Sequence, residues 1–81
     1  MVKVRDIGPY RVFFYSNEHE PEHVHIARDD SEVKIELFTG ANGKPKLIYA
    51  VGMKRSDIRR AKKIVAENRD EFLEAWRAYF G

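Results

Sequence analysis

The chain has 81 residues, of which 43% are hydrophobic and 35% are charged, and it contains no cysteine. This composition is typical of a globular protein, and the length allows a single domain over residues 1–81. The lack of thiols excludes disulfides and thiolate metal sites. Because so small a core is marginally stable, we expect a homo-oligomer or a protein partner.

The N-terminal segment predicts a cytoplasmic protein. Residues 1–6 (MVKVRD) place charges where a secretory signal needs an apolar run. No apolar stretch approaches the roughly 20 residues that span a membrane, so we expect no membrane partner.

The net charge of +2 conceals two segments of opposite charge. Residues 18–36 contain seven acids and two bases, whereas residues 54–69 contain seven bases and two acids. Such a charge asymmetry is informative about what the protein binds rather than about its fold. The acidic segment suits a cation, and the basic one suits an anion.

Alternating apolar and polar residues predict strands over the first two thirds of the chain. The clearest is residues 10–16 (YRVFFYS), which are dense in aromatic and β-branched side chains. Residues 17–22 are expected to form a loop, and residues 40–45 (GANGKP) a hairpin turn. The other predicted strands are residues 2–6, 23–28, 31–38 and 46–51.

Helical spacing replaces this alternation near the C-terminus. The apolar residues between 58 and 65 recur every three or four positions, which predicts a helix over about 56–67 with Ser56 as its N-cap. Asn68 resembles the first residue of a capping box, so a second helix is predicted over about 69–80.

Strands followed by helices predict an α+β fold. We expect an antiparallel meander of four to five short strands with two C-terminal helices packed on one face. In residues 10–16 both faces of the strand are apolar, with Val12 and Phe14 on one and Phe13 and Tyr15 on the other. Because the helices cover only one face, the second is expected to be a binding surface or a subunit interface.

All three histidines lie in residues 16–25 (SNEHEPEHVH), interleaved with three glutamates. His23 and His25 are two positions apart on a predicted strand, so their side chains leave the same face. His19 lies in the preceding loop.

Three interpretations of this cluster stay open. The first is a divalent transition metal, such as zinc, nickel or iron, bound by His19, His23 and His25 with Glu18, Glu20 or Glu22 close by. The second is metal-free acid–base catalysis such as RNA cleavage, with His23 and His25 as base and acid, and Tyr15 and Arg28 beside them. The third is a polar turn whose histidines bond to carboxylates on a wet surface.

The predicted first helix carries a basic stripe opposite its apolar side. Its members are Arg55, Arg59, Lys62 and Lys63. Such a stripe is able to hold RNA or DNA phosphates or to meet an acidic partner. The alternative is the ordinary solvated face of an amphipathic helix.

Two stretches of the chain resemble a known family. They are residues 10–25, with YRVFFYSNEH, Pro21 and HVH, and residues 67–81, with ENR, LEAW and YFG. The chain resembles the small bacterial family catalogued as domain of unknown function 4160, over nearly its whole length. It departs from that pattern at Glu22, where members typically have a second proline.

The resemblance implies a role but no settled activity, and it names no catalytic residue. It implies a component of a toxin–antitoxin-like gene pair that binds a partner protein and nucleic acid. The alternative is a metal-binding, regulatory or protein-interaction module that uses the histidines and the aromatic sheet face. The motif positions at which function is then expected are Asn17, Glu18, His19, Pro21, His23 and His25.

Overall fold

The computed structural model describes residues 1–38 and 41–81. Five antiparallel strands lie side by side in chain order, and two helices follow. The elements are β1 (Val2–Ile7), β2 (Tyr10–Phe14), β3 (His23–Arg28), β4 (Ser31–Glu36), β5 (Lys46–Val51), α1 (Arg55–Glu67) and α2 (Arg69–Phe80). The predicted α+β meander with two C-terminal helices is confirmed. Neither helix has the length or the apolar composition needed to span a membrane.

The hydrophobic core lies between the two helices and one face of the sheet. Alternate side chains of the three central strands point into it, which explains the period of two in the sequence. Its largest fully buried apolar side chains are Phe14, Phe72, Ile26, Ile35 and Leu37. On the opposite face of the sheet, Trp76 of α2 contacts His23 at one end.

A buried polar contact fixes the start of α1 to the sheet. The Tyr10 hydroxyl and the Arg28 guanidinium both donate to Oδ1 of Asp57, at 2.7 and 3.0 Å. The predicted N-cap was wrong. Helix α1 begins at Arg55, and Lys54, at the N-cap position, makes no side-chain capping bond. The bonds to Asp57, in the first turn, anchor this helix end instead of a cap.

The predicted break between the helices is confirmed at Asn68, but its mechanism differs from the prediction. The Asn68 side-chain amide donates to the carbonyl of Ile64 at 2.9 Å, and it makes no capping bond to α2. The residue therefore satisfies the carboxyl end of α1 rather than the amino end of α2.

The connection from β4 to β5 contains the predicted hairpin turn, part of which lies outside the described residues. Ala41–Gly43 form a 3₁₀ turn in which Asn42 has φ of 59°. Farther along, the pairing of β4 with β5 skips one residue, so that Ile35 faces Leu47 and Lys34 faces Tyr49. This bulge turns Tyr49 to the face away from the helices.

Candidate metal centre

Strand β3 places two histidines on the face away from the helices. Val24 and Ile26 point into the core and are fully buried. His23 and His25 alternate with them and therefore point to the opposite face, as the sequence pattern predicts.

Both imidazoles are nevertheless buried, each with 2% of its surface exposed. The His25 ring stacks on Phe13 at 5.4 Å between centroids and meets the Tyr15 ring edge at 4.8 Å. The His23 ring lies 4.8 Å from that of Trp76, which α2 places at the end of the sheet. The wet polar turn considered from the sequence therefore does not describe these two residues.

Glu18 joins the two histidines. Its Oε2 lies 2.7 Å from Nε2 of His23 and 2.8 Å from Nε2 of His25. The backbone amide of Tyr15 donates to Glu18 Oε1 at 2.7 Å. Burial raises the pKa of this carboxyl, but the Tyr15 amide and the two imidazoles outweigh it and hold the pKa below its usual value.

The other nitrogen of each ring faces a fixed acceptor. Nδ1 of His23 lies 2.8 Å from the Pro21 carbonyl oxygen, and Nδ1 of His25 lies 3.0 Å from Oε2 of Glu32. The Tyr49 hydroxyl donates to that same oxygen at 2.9 Å. Burial, and then Glu32, raise the pKa of Tyr49 to about 12, so this hydroxyl keeps its proton at neutral pH.

In both rings, Nδ1 and Nε2 each face an acceptor oxygen. A neutral imidazole carries one N–H, so neither ring is able to donate at both of these contacts. Nε2 of His23 is buried and finds no hydrogen bond of acceptable geometry within the described chain, although Glu18 is 2.7 Å away. A second proton on each ring, or one shared cation, resolves this conflict.

The distances from Glu18 to the two imidazoles are close to those between ligands of one metal ion. Any two of the ligand atoms offered by Glu18, His23 and His25 lie within 4.8 Å. Atoms about 2.1 Å from one metal ion are about 3.0 Å apart at a right angle and about 3.4 Å apart at the tetrahedral angle. The carboxylate oxygen would therefore move by less than about 1 Å from each imidazole to admit the ion.

The structure brings together only part of each predicted site. His19 is exposed in the loop and does not belong to the group of three ligand residues. Tyr15 packs against His25, as the acid–base interpretation expects. Arg28 lies at the other end of β3, about 16 Å from His23 along the strand, and is bonded to Asp57. The proposed set of two histidines, a tyrosine and Arg28 is therefore not assembled.

Glu32 and Tyr49 belong to the site, although the sequence analysis did not select them. The tight turn after Arg28 pairs Ala27 with Glu32, which places Glu32 diagonally across from His25. Counting back from that turn could have found Glu32. Tyr49 depends on the bulge in β5, which has no clear sequence signal.

A cleft of about 490 Å³ opens beside this cluster, between the β2–β3 loop and the end of α2. Glu18 and His19 line one side of it, and Trp76, Arg77 and Phe80 line the other. Of the three candidate ligands, Glu18 is the one that reaches the cleft. Solvent and small molecules therefore have a route to the cluster.

The comparisons with known proteins identify a family. A family model described as a domain of unknown function (DUF4160) matches residues 10–77, which include every residue of the cluster. No curated protein and no solved structure matches the chain.

Proposed function

The chain belongs to the DUF4160 family, and we propose that it binds a divalent transition metal ion through Glu18, His23 and His25. One observation supports this above all others. Each histidine places Nδ1 against a fixed acceptor and turns Nε2 toward the same carboxylate oxygen. Metal-binding histidines are typically oriented in this way, because the ring nitrogen that does not bind the metal donates to a carbonyl or carboxylate that is not itself a ligand.

The donor set indicates the class of metal. Two imidazoles and one carboxylate are ligands of zinc in hydrolytic enzymes and of non-haem iron(II) in oxygenases. Three protein ligands leave coordination positions for water or a substrate, as catalytic rather than structural centres do. We therefore propose a centre of the catalytic type for zinc or iron(II), with the cleft as its entrance.

The metal-free acid–base alternative has less support. Both nitrogens of His23 and of His25 contact protein groups, and both rings are 2% exposed. Neither ring is placed to exchange a proton with a substrate in the cleft. The exposed imidazole of His19 lines the cleft and is better placed for that role.

Metal titration of the chelator-treated protein tests this proposal. Isothermal titration calorimetry with Zn²⁺ should give one site per chain. Trp76 is the single tryptophan, and its ring lies 4.8 Å from that of His23. Paramagnetic Ni²⁺ or Co²⁺ bound at this centre should therefore quench its fluorescence.

Two variants distinguish this ligand set from the one predicted with His19. Glu18→Ala should abolish stoichiometric binding and quenching, whereas His19→Ala should retain both. Glu18→Gln tests the carboxylate with little change of volume, and circular dichroism checks the fold of each variant. Folded wild-type protein that binds none of these ions, or that loses binding in His19→Ala but not in Glu18→Ala, would contradict the proposal.

A second proposal is that the protein acts in the cytoplasm as a toxin–antitoxin-like component that binds a partner protein. Edge strand β5 supports a protein contact, because Ile48, Tyr49 and Val51 are 40%, 39% and 60% exposed. An edge strand with exposed apolar side chains is suited to pairing with another strand.

Co-purification with the product of the neighbouring gene, followed by light scattering, tests this second proposal. A Val51→Lys variant should weaken the complex, and Lys3→Glu, on the opposite edge strand, should not. A chain that stays monomeric in the presence of the neighbouring product would rule it out.

A further inference from the structure

The outward face of α1 is basic along most of its length. Its five bases are exposed and fall within about 160° of the helix circumference at 3.6 residues per turn. They are Arg55, Arg59, Arg60, Lys62 and Lys63. Between the first and the last of them the helix rises about 12 Å.

The acids that could neutralise this face are used elsewhere or lie at its end. Asp57 is buried, and its carboxylate accepts from Tyr10 and Arg28. Glu67 is the last residue of the helix. None of the five bases forms an ion pair in the part of the chain that the structure describes.

Arg69, a base in the same segment of sequence, differs from the five. It donates to the Gly43 carbonyl at 2.8 Å and lies over the Phe38 ring at 5.0 Å. Its role is structural, so it does not belong to the basic face.

This pattern differs from that of an ordinary solvated helix face. Opposite charges three or four residues apart stabilise a helix, whereas like charges at that spacing destabilise it. Here Arg55 and Arg59 are four apart, as are Arg59 and Lys63, and Glu67 provides an opposite charge at that spacing for Lys63 at the end of the helix. The repulsion is relieved when an external anion lies along the face.

The side chains between the bases indicate the kind of anion. Protein interfaces depend on buried aromatic or large apolar anchors, and Ser56 and Ala66 are the uncharged residues on this face. A nucleic-acid backbone needs no such anchor, because its phosphates contribute most of the binding. Each strand of a duplex carries one phosphate per about 3.4 Å of the duplex axis, so 12 Å of that axis contains roughly three to four phosphates of one strand.

We propose that the outward face of α1 binds the sugar–phosphate backbone of nucleic acid without reading its sequence. Arg and Lys side chains suffice for phosphates, and contacts to phosphates carry no sequence information. The metal centre lies on the other side of the sheet, so the two proposals stand or fall separately.

Fluorescence anisotropy with labelled 20-nucleotide single-stranded RNA and duplex DNA of two unrelated sequences tests this inference. Neutralising three to four phosphates predicts a slope of log affinity against log salt of about −2.1 to −3.6. Affinity should therefore fall roughly 20- to 150-fold between 50 and 200 mM salt. The two sequences should bind alike.

Charge variants locate the contact. Arg59→Glu with Lys63→Glu should abolish binding at 50 mM salt, and the milder Arg59→Gln with Lys63→Gln should reduce the slope by about two. The control is Lys44→Glu with Lys46→Glu, at two bases outside α1. It changes the net charge by the same amount as Arg59→Glu with Lys63→Glu, and it should retain binding.

Three results would overturn the inference. One is no binding at 25 mM salt by protein that circular dichroism shows to be folded. Another is an equal loss in the Lys44 and Lys46 control, which would mean that net charge alone attracts the polymer. The third is polyglutamate binding as tight as that of nucleic acid, which would favour an acidic protein.

Discussion

Glu32 offers the sharpest test of the proposed metal centre, because it contacts a candidate ligand without being one. Its Oε2 lies 3.0 Å from Nδ1 of His25, and its two oxygens accept from Tyr49 and Tyr15 at 2.9 and 3.2 Å. In Glu32→Ala, Nδ1 of His25 loses its carboxylate acceptor. The ring is then able to carry its proton on Nε2, where it blocks the metal.

The expected effect is an intermediate loss of metal affinity. Removing an outer partner of a histidine ligand typically lowers metal affinity 10- to 100-fold, which corresponds to about 1.4 to 2.7 kcal/mol. His23 keeps its orientation through the Pro21 carbonyl, so binding should weaken without disappearing. Glu32→Gln retains a side-chain acceptor for Nδ1 but not the charge, so its affinity should lie between those of wild type and Glu32→Ala.

Competition calorimetry with a chelator of known zinc affinity measures this difference. Glu67→Ala is the matched control, because it makes the same substitution at an exposed acid at the end of α1. The control should bind zinc as the wild type does. A Glu32→Ala affinity within twofold of the wild type, in folded protein, would refute the assignment of Glu32 to the centre.

Three further outcomes follow from the contacts described. Tyr49→Phe removes the hydroxyl that donates to Glu32, which contacts His25 but is not a candidate ligand. Zinc affinity should therefore fall less than tenfold in the same calorimetric assay. Tyr10→Phe removes the hydrogen bond that holds the pKa of Asp57 below its ordinary value. In the wild type, the stability that this shift provides is present above pH 3.8, the ordinary pKa of Asp57, and is lost as pH falls through the lower pKa of Asp57 in the folded protein. The free energy of unfolding of Tyr10→Phe, measured in urea, should therefore depend less on pH below 3.8 than that of the wild type. Phe72→Ala should cost about 3 to 5 kcal/mol in urea unfolding because it empties a fully buried site, whereas Tyr79→Ala, at a side chain 51% exposed, should cost far less.

Local patterns account for the parts of the structure that the sequence predicts. Alternation places His23 and His25 on one face, and the change to helical spacing places α1 and α2 after the sheet. Both features depend on neighbours within a few residues. The fold class, and the position of His23 and His25 on one face of a strand, could therefore be predicted.

The rest of the centre depends on contacts distant in sequence. Glu18, rather than His19, lies beside the two buried histidines because of the path of the β2–β3 loop, in which the Tyr15 amide donates to one oxygen of Glu18. Tyr49 reaches the site through a bulge, and Trp76 through the placement of α2. Neighbouring loop residues with similar side chains cannot be distinguished by spacing alone.

The cost of burying this cluster supports a functional rather than a structural role. Removing charged and polar groups from water is costly, and apolar replacements of similar volume are often at least as stabilising. A chain of this size has little stability to spare. Phe13, Tyr15 and Trp76 nevertheless enclose two imidazoles beside a carboxylate. Since a bound cation compensates the carboxylate and coordinates Nε2 of both rings, metal binding would offset this cost in the folded state alone.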